Sequence, residues 1–318
     1  MPSERPLVAA IVAEGDDPPP GIHGLSGLAD VRIARSVDDA IEAVREADAM
    51  LVWDFRSELV PKVWPSARRL RWIHAASAGV DAVMTPEVAA SDVVVTNSRG
   101  VFDDAMAEWV LAVVLLFAKD LGTSIELQRR HEWKHRESER VGGRSVLIYG
   151  AGSVGRAVGR LLRAVGMEVT GVARRERDDP DLGRVAGAEE LRDRIGGADF
   201  VVITAPLTDA TRGAFDERTL AACKPGARLI NVGRGPIVDE DALVEALRSG
   251  RISGAALDVF VTEPLPADHP FWSMDNVLVS PHQCGDVVGW RHALVDLFET
   301  NLRRFIAGED LMNVVDAR

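Results

Sequence analysis

The sequence is poor in cysteine, in positive charge and in long hydrophobic runs, and each shortage excludes a class of protein. Its 318 residues include only two cysteines, Cys223 and Cys284, and neither has a partner at metal-ligand spacing. We therefore expect no disulfide framework, no metal site and a reducing compartment. Lysine and arginine number 37 against 49 acidic residues, which gives a net charge of −12. Because this excess repels phosphate backbones and anionic lipid, we expect no nucleic-acid or membrane partner.

The longest uninterrupted apolar run, Trp109–Ala118, has ten residues. A helix needs about 18 or more apolar residues to span a bilayer. The first residues also lack the basic region that opens a secretory leader, so we expect a cytoplasmic protein. With 47% apolar residues the chain can bury a sizeable core, and its length predicts about two domains.

Short β-branched runs alternate with helical patterns along the first third of the chain. Strands are expected at Leu7–Ala13, Asp30–Ala34 and Ala49–Asp54, and a helix at Val37–Ala47 with Ser36 as its N-cap. Nearly all-apolar strands separated by helices are typical of a parallel sheet covered on both faces. The predicted fold class is therefore α/β.

The same alternation restarts at Ser145, which predicts a second α/β unit. Between the two units we expect one long helix from Asp103 to Arg130, followed by a polar surface arm over residues 128–144. A last amphipathic helix is expected at Trp290–Ala307, with a stripe that includes Ala293 and Phe298.

The strongest local signal is a glycine-rich turn between a strand and a helix. Gly150, Gly152 and Gly155 enclose Ser153 and Val154 in the pattern GxGxxG. In a dinucleotide site the first glycine permits the tight turn, the second the approach of a pyrophosphate, and the third close helix packing. We expect these five residues to bind a cofactor; the alternative is a tight turn without a ligand.

Two arginines follow the next strand, where an NAD site carries an acidic residue for the ribose 2′-hydroxyl. Arg174 lies 19 residues after Gly155, with Arg175 beside it. A guanidinium would pair with a 2′-phosphate, so the sequence predicts that NADP(H) is preferred and NAD(H) possible. Alternatively both arginines are solvated charges, neutralised by Asp178 and Asp179.

Three polar residues follow apparent strands of the second unit: Arg234 after LINVG, Glu263 after AALDVFVT, and His282 after VLVSP. Ligands of an open α/β sheet bind outside the carboxyl ends of its strands, so these residues lie where chemistry is expected. Taken singly, each could be an ordinary loop, turn or surface residue.

Taken together, these segments resemble the D-isomer-specific 2-hydroxyacid dehydrogenase family, and the glyoxylate/hydroxypyruvate reductases within it. The resemblance is carried by SAGVD at 77–81, NSRGVFDDAMAEW at 97–109, INVGRGPIVDEDALVEAL, GAALDVFVTEPLP and SPH, which follow in the family's order over almost the whole chain. It implies two Rossmann-like doubly wound parallel-sheet domains with a cleft between them. Residues 1–97 and 284–318 would form the flavodoxin-like substrate domain and residues 98–283 the dinucleotide-binding domain, in a homodimer.

The resemblance also implies roles for individual residues. Arg234 would bind the keto-acid carboxylate and polarise the carbonyl, His282 would be the proton donor, and Glu263 would hold the imidazole and favour its charged form. The backbone of Ala78 and Gly79 would bind the carboxylate as well. The remaining matched positions would line the cofactor near its ribose and nicotinamide: Pro206, Val232, Gly233 and Asp258.

The chain departs from the family's common pattern at Met106, Trp109 and the pair Gln283–Cys284, which leaves pocket size open. Trp53, Phe102 and Trp290 could be pocket walls or ordinary core residues. Trp133 lies in the arm and could reach a partner's cleft.

The expected activity is NAD(P)-dependent reduction of a small 2-keto acid such as glyoxylate or hydroxypyruvate. Two other enzymes of this fold are less favoured. Many phosphoglycerate dehydrogenases carry a further C-terminal domain, and formate-oxidising relatives pair the histidine with glutamine. A nucleotide-sensing, non-catalytic binding protein on the same scaffold is the alternative of a different class.

Overall fold

The computed structural model describes residues 5–53 and 59–315, and the chain folds into two compact units. The first unit comprises residues 1–102 and 287–318, and the second residues 103–286. The chain thus leaves the first unit once and returns to it at its C-terminal end.

The strands, in chain order, are β1 (Leu7–Ile11), β2 (Asp30–Ala34), β3 (Ala49–Val52), β4 (Trp72–Ala75), β5 (Val94–Asn97), β6 (Ser145–Tyr149), β7 (Glu168–Ala173), β8 (Arg177–Asp179), β9 (Gly183–Gly187), β10 (Phe200–Ile203), β11 (Ala227–Asn231), β12 (Ile252–Leu257) and β13 (Val277–Val279). The α-helices are α1 (Val37–Arg45), α2 (Leu59–Val63), α3 (Pro86–Ala89), α4 (Asp103–Ala118), α5 (Leu121–Arg129), α6 (Ser153–Ala164), α7 (Leu191–Ile195), α8 (Glu217–Ala222), α9 (Glu240–Arg248) and α10 (Trp290–Ala307). Short 3₁₀ turns connect several of them.

The first unit is built on a parallel five-stranded sheet in the order β2-β1-β3-β4-β5, the flavodoxin-like arrangement. Strands β3 and β4 are buried along their whole length, as expected for strands covered on both faces. Helix α1 begins where the sequence predicts, because the Ser36 hydroxyl accepts a hydrogen bond from the Asp39 N–H. Such a cap stabilises a helix by about 1 kcal/mol.

The second unit is built on an eight-stranded sheet in the order β13-β12-β11-β10-β6-β7-β9-β8. All neighbouring strands are parallel except β8, which runs antiparallel to β9 at the edge. The parallel strands have the Rossmann order, and the connection reverses between β6 and β10. The predicted α/β class with two doubly wound parallel sheets is therefore confirmed.

The single long helix expected from Asp103 to Arg130 is wrong, because the structure has two helices there. Helix α4 ends at Ala118, and Asp120 takes a left-handed conformation (φ 50°) before α5 begins at Leu121. The hairpin of β8 and β9 was not predicted, since β8 is short and polar and β9 has only two apolar side chains between glycines and an arginine. Asp54, the last residue of the expected strand from Ala49, lies outside the described residues.

Helix α10 packs its buried face on the sheet of the first unit. Phe298 is fully buried and stacks on Trp72 of β4 with 5.2 Å between the ring centroids. Ala293, expected in the buried stripe, is exposed instead. Over residues 5–53 and 59–315, no helix combines the length and the hydropathy needed to cross a bilayer.

Candidate functional site

The predicted catalytic and cofactor residues of the second unit follow strands that are neighbours in one sheet. His282 follows β13, Glu263 follows β12 and Arg234 follows β11. Farther along the same edge, Gly150 follows β6 and Arg174 follows β7. Because these strands are parallel, all five residues leave the sheet at its carboxyl edge, where α/β sheets bind ligands.

The glycine-rich loop has the geometry of a phosphate cradle. Gly150 has φ 113°, and a Cβ atom there would overlap the backbone of Ala205. A Cβ atom on Gly155 would overlap the Gly150 carbonyl oxygen, so the helix lies against the strand as predicted. At Gly152, by contrast, a Cβ atom would meet nothing within 4 Å. The loop is therefore packed tightly on one side and open on the other.

Helix α6 begins directly at this loop, with Gly152 as its N-cap and no side chain capping it. Its first N–H groups, from Ser153 and Val154 onward, carry the positive end of the helix dipole, and within residues 5–53 and 59–315 no side-chain cap hydrogen bond is made at Gly152. Ser153 also donates to the Asp103 carboxylate at 3.2 Å. An open glycine face and a free helix N-terminus together fit the pyrophosphate of a dinucleotide.

Arg174 and Arg175 lie exposed just beyond β7, and no ion pair in the described part of the chain involves either one. Among the described residues, neither Asp178 nor Asp179 forms an ion pair with them. Asp179 is buried, and its carboxylate lies 3.7 Å from the guanidinium of Arg177. The two arginines therefore keep their charge available for an anion.

Sequence reasoning missed Arg177. Its Nη2 atom donates to the Ala151 carbonyl oxygen at 2.6 Å, which places its guanidinium against the glycine-rich loop. The contact depends on the β8–β9 hairpin, whose turn is closed by hydrogen bonds from the N–H groups of Asp181 and Leu182 to Asp179. The repeated arginines in ARRER were the only sequence signal.

The side chains of His282 and Glu263 are in hydrogen-bond contact. Nδ1 of His282 lies 2.8 Å from Oε2 of Glu263, and the other carboxylate oxygen accepts the Phe260 N–H at 3.0 Å. The imidazole remains 42% exposed and the carboxylate 23% exposed. Because the ionised carboxylate can only accept, Nδ1 carries the hydrogen, and Nε2 is left to exchange a proton with a ligand.

The backbone at His282 is held in a strained conformation by the buried carboxylate of Asp258. His282 has φ 54°, a left-handed conformation that costs a non-glycine residue about 1–2 kcal/mol. Asp258 is completely buried and accepts from the Ser280 hydroxyl at 2.6 Å, the Gln283 N–H at 2.9 Å and the Cys284 N–H at 3.1 Å. These three bonds fix the turn on both sides of the histidine.

Cys284, beside this turn, is unsuited to nucleophilic chemistry. It is 6% exposed, and burial together with the charge of Asp258 raises the pKa of its thiol far above the usual range. The pKa of the nearby Asp286 carboxyl is raised by burial, an effect that the positive charge of His282 opposes. The ionisable chemistry of this turn therefore rests on the histidine and its carboxylates.

Arg234 lies on a turn that Asn231, also missed by sequence reasoning, braces from within. The Asn231 side chain accepts the Gly233 N–H at 3.0 Å and donates to the Arg234 carbonyl at 3.1 Å. Nη1 of Arg234 donates to the Gly233 carbonyl at 2.8 Å. Gly235 is required next, since a Cβ atom there would overlap the backbone of Phe260. The turn is thus tied to the segment that carries Glu263.

The loop Ser77–Gly79 of the first unit presents backbone N–H groups. Its three carbonyl oxygens all accept hydrogen bonds: Ser77 from the Ser98 N–H at 2.9 Å, Ala78 from Asn97 Nδ2 at 2.6 Å, and Gly79 from the Ser77 hydroxyl at 2.6 Å. Among the described residues, no acceptor pairs with the N–H of Ala78 or Gly79. Such an arrangement can bind an anion.

The other predicted residues divide by burial. Val232 and Gly233 are buried and Pro206 is exposed, each at the carboxyl edge of the second sheet. Trp53 is almost fully buried with the Arg291 guanidinium over its ring, as in a core residue. The remaining expected aromatic residues are Phe102 and Trp290, whose rings lie 5.9 Å apart, and Trp133, which is fully exposed.

Comparison with known proteins places this arrangement in a family. The model for the D-isomer specific 2-hydroxyacid dehydrogenase NAD-binding domain matches residues 111–284. A glyoxylate reductase of Thermococcus onnurineus is 34% identical over 280 residues, which cover 85% of this chain and 83% of the relative. This relative and the family model together cover most of both units.

Two solved structures extend the likeness to the fold. A D-isomer specific 2-hydroxyacid dehydrogenase from Xanthobacter autotrophicus, in complex with NADPH and MES, has a TM-score of 0.84 at 33% identity and covers 98% of this chain and 99% of its own. An NADPH-dependent glyoxylate/hydroxypyruvate reductase from Sinorhizobium meliloti, in complex with NADP and sulfate, has a TM-score of 0.82 at 29% identity and covers 98% of each chain.

Proposed function

Because this chain belongs to the D-isomer specific 2-hydroxyacid dehydrogenase family and is an NAD(P)-dependent oxidoreductase of 2-hydroxy acids, we propose that it reduces a small 2-keto acid such as glyoxylate or hydroxypyruvate. The observation that carries the proposal is the 2.8 Å contact between His282 and Glu263. These residues follow β13 and β12, and Arg234 follows the neighbouring strand β11. Relatives named as glyoxylate and hydroxypyruvate reductases support the choice of substrate.

His282 is the proton donor of this reaction. A reduced nicotinamide, when bound, supplies the hydride that reduces the keto carbon. The imidazolium gives its Nε2 proton to the carbonyl oxygen as negative charge develops there, while Nδ1 stays hydrogen-bonded to Glu263. Glu263 fixes the direction of Nε2, because its own carboxylate is anchored by the Phe260 N–H. General acid catalysis of this kind contributes about 10²–10⁴-fold.

The substrate carboxylate pairs with the Arg234 guanidinium, whose fork can also polarise the neighbouring carbonyl. The N–H groups of Ala78 and Gly79 are the second binding group for the substrate carboxylate. All three carbonyl oxygens of that loop already accept hydrogen bonds from the protein, so the loop offers the carboxylate its N–H groups. Each of these groups can bind a free carboxylate.

The cofactor is NADP(H) in preference to NAD(H). Arg174 and Arg175 have no ionic partner among the described residues, and Arg177 contributes a positive charge at the glycine-rich loop. Pairing with a 2′-phosphate would give Arg174 and Arg175 a counter-charge, which a 2′-hydroxyl does not supply. Pro206, Val232, Gly233 and Asp258 remain predicted neighbours of the ribose and nicotinamide.

The chain forms a homodimer through α5 and the arm that follows it. Leu121 and Ile125 of α5 are about half exposed, and Trp133 in the arm is fully exposed. An exposed apolar surface of this kind is typical of a protein–protein contact. Size-exclusion chromatography with light scattering measures the molecular mass in solution. A monomer at micromolar concentration would contradict the proposed dimer.

A kinetic panel tests the activity. Wild type, His282→Ala and the exposed-histidine control His292→Ala are assayed with glyoxylate, hydroxypyruvate and 3-phosphohydroxypyruvate, each with NADPH and NADH. We expect turnover of the first two with NADPH, a loss of about 10²–10⁴-fold in kcat for His282→Ala, and no change for His292→Ala. The dissociation constant of NADPH should be the same in all three proteins.

Two outcomes would favour another function. If the protein binds NADPH but reduces none of the keto acids, it is a nucleotide-sensing binding protein. Preferred turnover of 3-phosphohydroxypyruvate would make it a phosphoglycerate dehydrogenase.

A further inference from the structure

A chain of buried polar side chains crosses the first unit between β4 and β5. His74, Thr96 and Ser98 are completely buried, on the sheet face covered by Phe298. That face would be more simply filled by apolar residues, because buried polar groups stabilise a fold only when they are hydrogen-bonded. None of these three residues contributes to the chemistry described above.

The hydrogen bonds of this chain are continuous. Nε1 of Trp72 donates to Thr96 Oγ1 at 2.8 Å, and the same oxygen lies 2.7 Å from Nδ1 of His74. On the other side of the ring, Nε2 of His74 lies 3.4 Å from Ser98 Oγ, which lies 3.1 Å from the Ala75 carbonyl. The side chains thus connect strand β4 to β5 and back to the end of β4.

The donor at one end of the chain and the acceptor at the other favour one direction of its hydrogen bonds. An indole N–H can only donate and a carbonyl can only accept. If every hydroxyl passes its hydrogen onward, Thr96 donates to Nδ1, Nε2–H donates to Ser98, and Ser98 donates to Ala75. The reverse order would require Thr96 to donate to the Ile73 carbonyl at 3.5 Å, which is longer than the 3.1 Å bond to Ala75. The forward order is therefore favoured, with His74 neutral and protonated on Nε2.

The imidazole is neutral for a second reason. Burial lowers the pKa of His74 to about 3, because the charged ring would lose its hydration. A neutral imidazole has one donor and one acceptor nitrogen, which is what the forward chain requires.

The chain ends on the backbone that carries the proposed anion-binding loop. Ser98 holds the last residue of β4 through its hydroxyl and the Ser77 carbonyl through its N–H at 2.9 Å. The neighbouring Asn97 side chain holds the Ala78 carbonyl. A displacement of Ser98 would therefore move the Ser77 carbonyl, and with it the Ala78 N–H of the same peptide group.

We propose that His74 is a positioning residue, which as its Nε2–H tautomer connects Trp72 and Thr96 to Ser98 and so holds the Ser77–Gly79 loop in the geometry that binds the substrate carboxylate. The inference rests on the proposed function, because it requires that this loop binds a keto acid. It adds a polar chain in the core of the first unit to the substrate-binding machinery.

The kinetic test breaks the chain at Thr96 without changing the volume of the side chain. Thr96→Val removes the hydroxyl, Thr96→Ser keeps it, and Val95→Ala removes buried apolar volume on the opposite face of β5. For Thr96→Val we expect the KM for glyoxylate to rise about three- to tenfold, the measured range for one hydrogen bond, with kcat and the KM for NADPH unchanged. Thr96→Ser should have the wild-type KM for glyoxylate. Val95→Ala should lower Tm and leave the KM for glyoxylate unchanged.

A spectroscopic test uses the wild-type protein alone. The ¹⁵N chemical shifts of His74, assigned by comparison with His74→Gln, should report the Nε2–H tautomer and stay constant from pH 8 to pH 5. An Nδ1–H tautomer, a ring that titrates in this range, or equal effects of Thr96→Val and Val95→Ala on KM would overturn the inference while leaving the proposed activity in place. A wild-type protein without keto-acid turnover would overturn both.

Discussion

The Nδ1 atom of His282 lies 2.8 Å from Oε2 of Glu263, in a turn whose backbone is held by three hydrogen bonds to Asp258. The two side chains come from segments that follow adjacent parallel strands, β12 and β13. Their contact therefore depends on the register of the sheet, and the orientation of the imidazole depends on the carboxylate.

Replacing Glu263 by glutamine should impair catalysis through the tautomer of His282. An amide oxygen could still accept the Phe260 N–H, but the amide nitrogen facing Nδ1 can only donate, which places the imidazole hydrogen on Nε2 in the neutral form and disfavours the charged ring. We expect kcat to fall between about tenfold and 10⁴-fold, the upper figure being that of a known wrong-tautomer variant of a catalytic triad. Steady-state kinetics with saturating NADPH measure the effect.

The double variant Glu263→Gln/His282→Ala provides the control for this coupling. Since Glu263 acts through His282, the double variant should be no slower than His282→Ala alone. Additive losses would show that Glu263 acts by another route.

Alanine substitutions at Gly152 and Gly155 of the phosphate loop should have different effects, the first on NADPH binding and the second on stability. In Gly152→Ala the added methyl group meets no atom of the described residues within 4 Å, so Tm should stay within about 2 °C of wild type. The same methyl group lies where the pyrophosphate would approach, so NADPH should bind at least about tenfold more weakly. Thermal melts and fluorescence titration of NADPH separate the two effects.

Gly155→Ala is the matched comparison. Its methyl group would overlap the Gly150 carbonyl, so we expect a loss of about 1–3 kcal/mol in the free energy of unfolding. If Gly152→Ala binds NADPH as wild type does, the open face of the loop is not the phosphate site.

Arg174→Ala should discriminate between the two nicotinamide cofactors. Loss of a guanidinium that pairs with the 2′-phosphate removes a charge-assisted hydrogen bond of about 1.5–3 kcal/mol, or roughly a 10- to 150-fold weaker binding of NADPH. NADH, which lacks this phosphate, should bind as before. Arg248→Ala, which removes an exposed arginine paired with Glu245, is the control. Equal weakening of both cofactors by Arg174→Ala would argue against a role in reading the phosphate.

His74 should make the first unit less stable in mild acid. Its pKa is about 3 in the folded protein and 6.5 in the unfolded chain, so below pH 6.5 the unfolded state binds more protons. The stabilising contribution of the neutral ring is complete above pH 6.5 and declines as the pH falls. Between pH 7 and pH 5 wild type should lose about 2 kcal/mol more than His74→Gln in urea unfolding. The exposed-histidine variant His292→Gln should behave like wild type, and parallel curves for all three proteins would contradict the buried neutral state of His74.

Much of the architecture could be predicted from the sequence because it depends on short-range patterns. The apolar strands predicted a buried parallel sheet, and Ser36 predicted the start of α1. The prediction of one long helix from Asp103 was wrong because Asp120, in a left-handed conformation, interrupts an otherwise continuous helical pattern. The β8–β9 hairpin was missed because it is defined by the antiparallel pairing of its two strands and not by a pattern of apolar residues.

What the sequence by itself determined was the identity and order of the chemical groups: a glycine-rich turn, two arginines, and an arginine, a glutamate and a histidine, each after a strand. What only the tertiary structure decided was which atoms meet. The buried carboxylate of Asp258 beneath His282, the reach of Arg177 to the Ala151 carbonyl, and the polar chain through His74 all join residues that are far apart in sequence. The physical reason is that hydrogen bonds act over about 3 Å, so their partners are set by strand order and register, which no local pattern encodes.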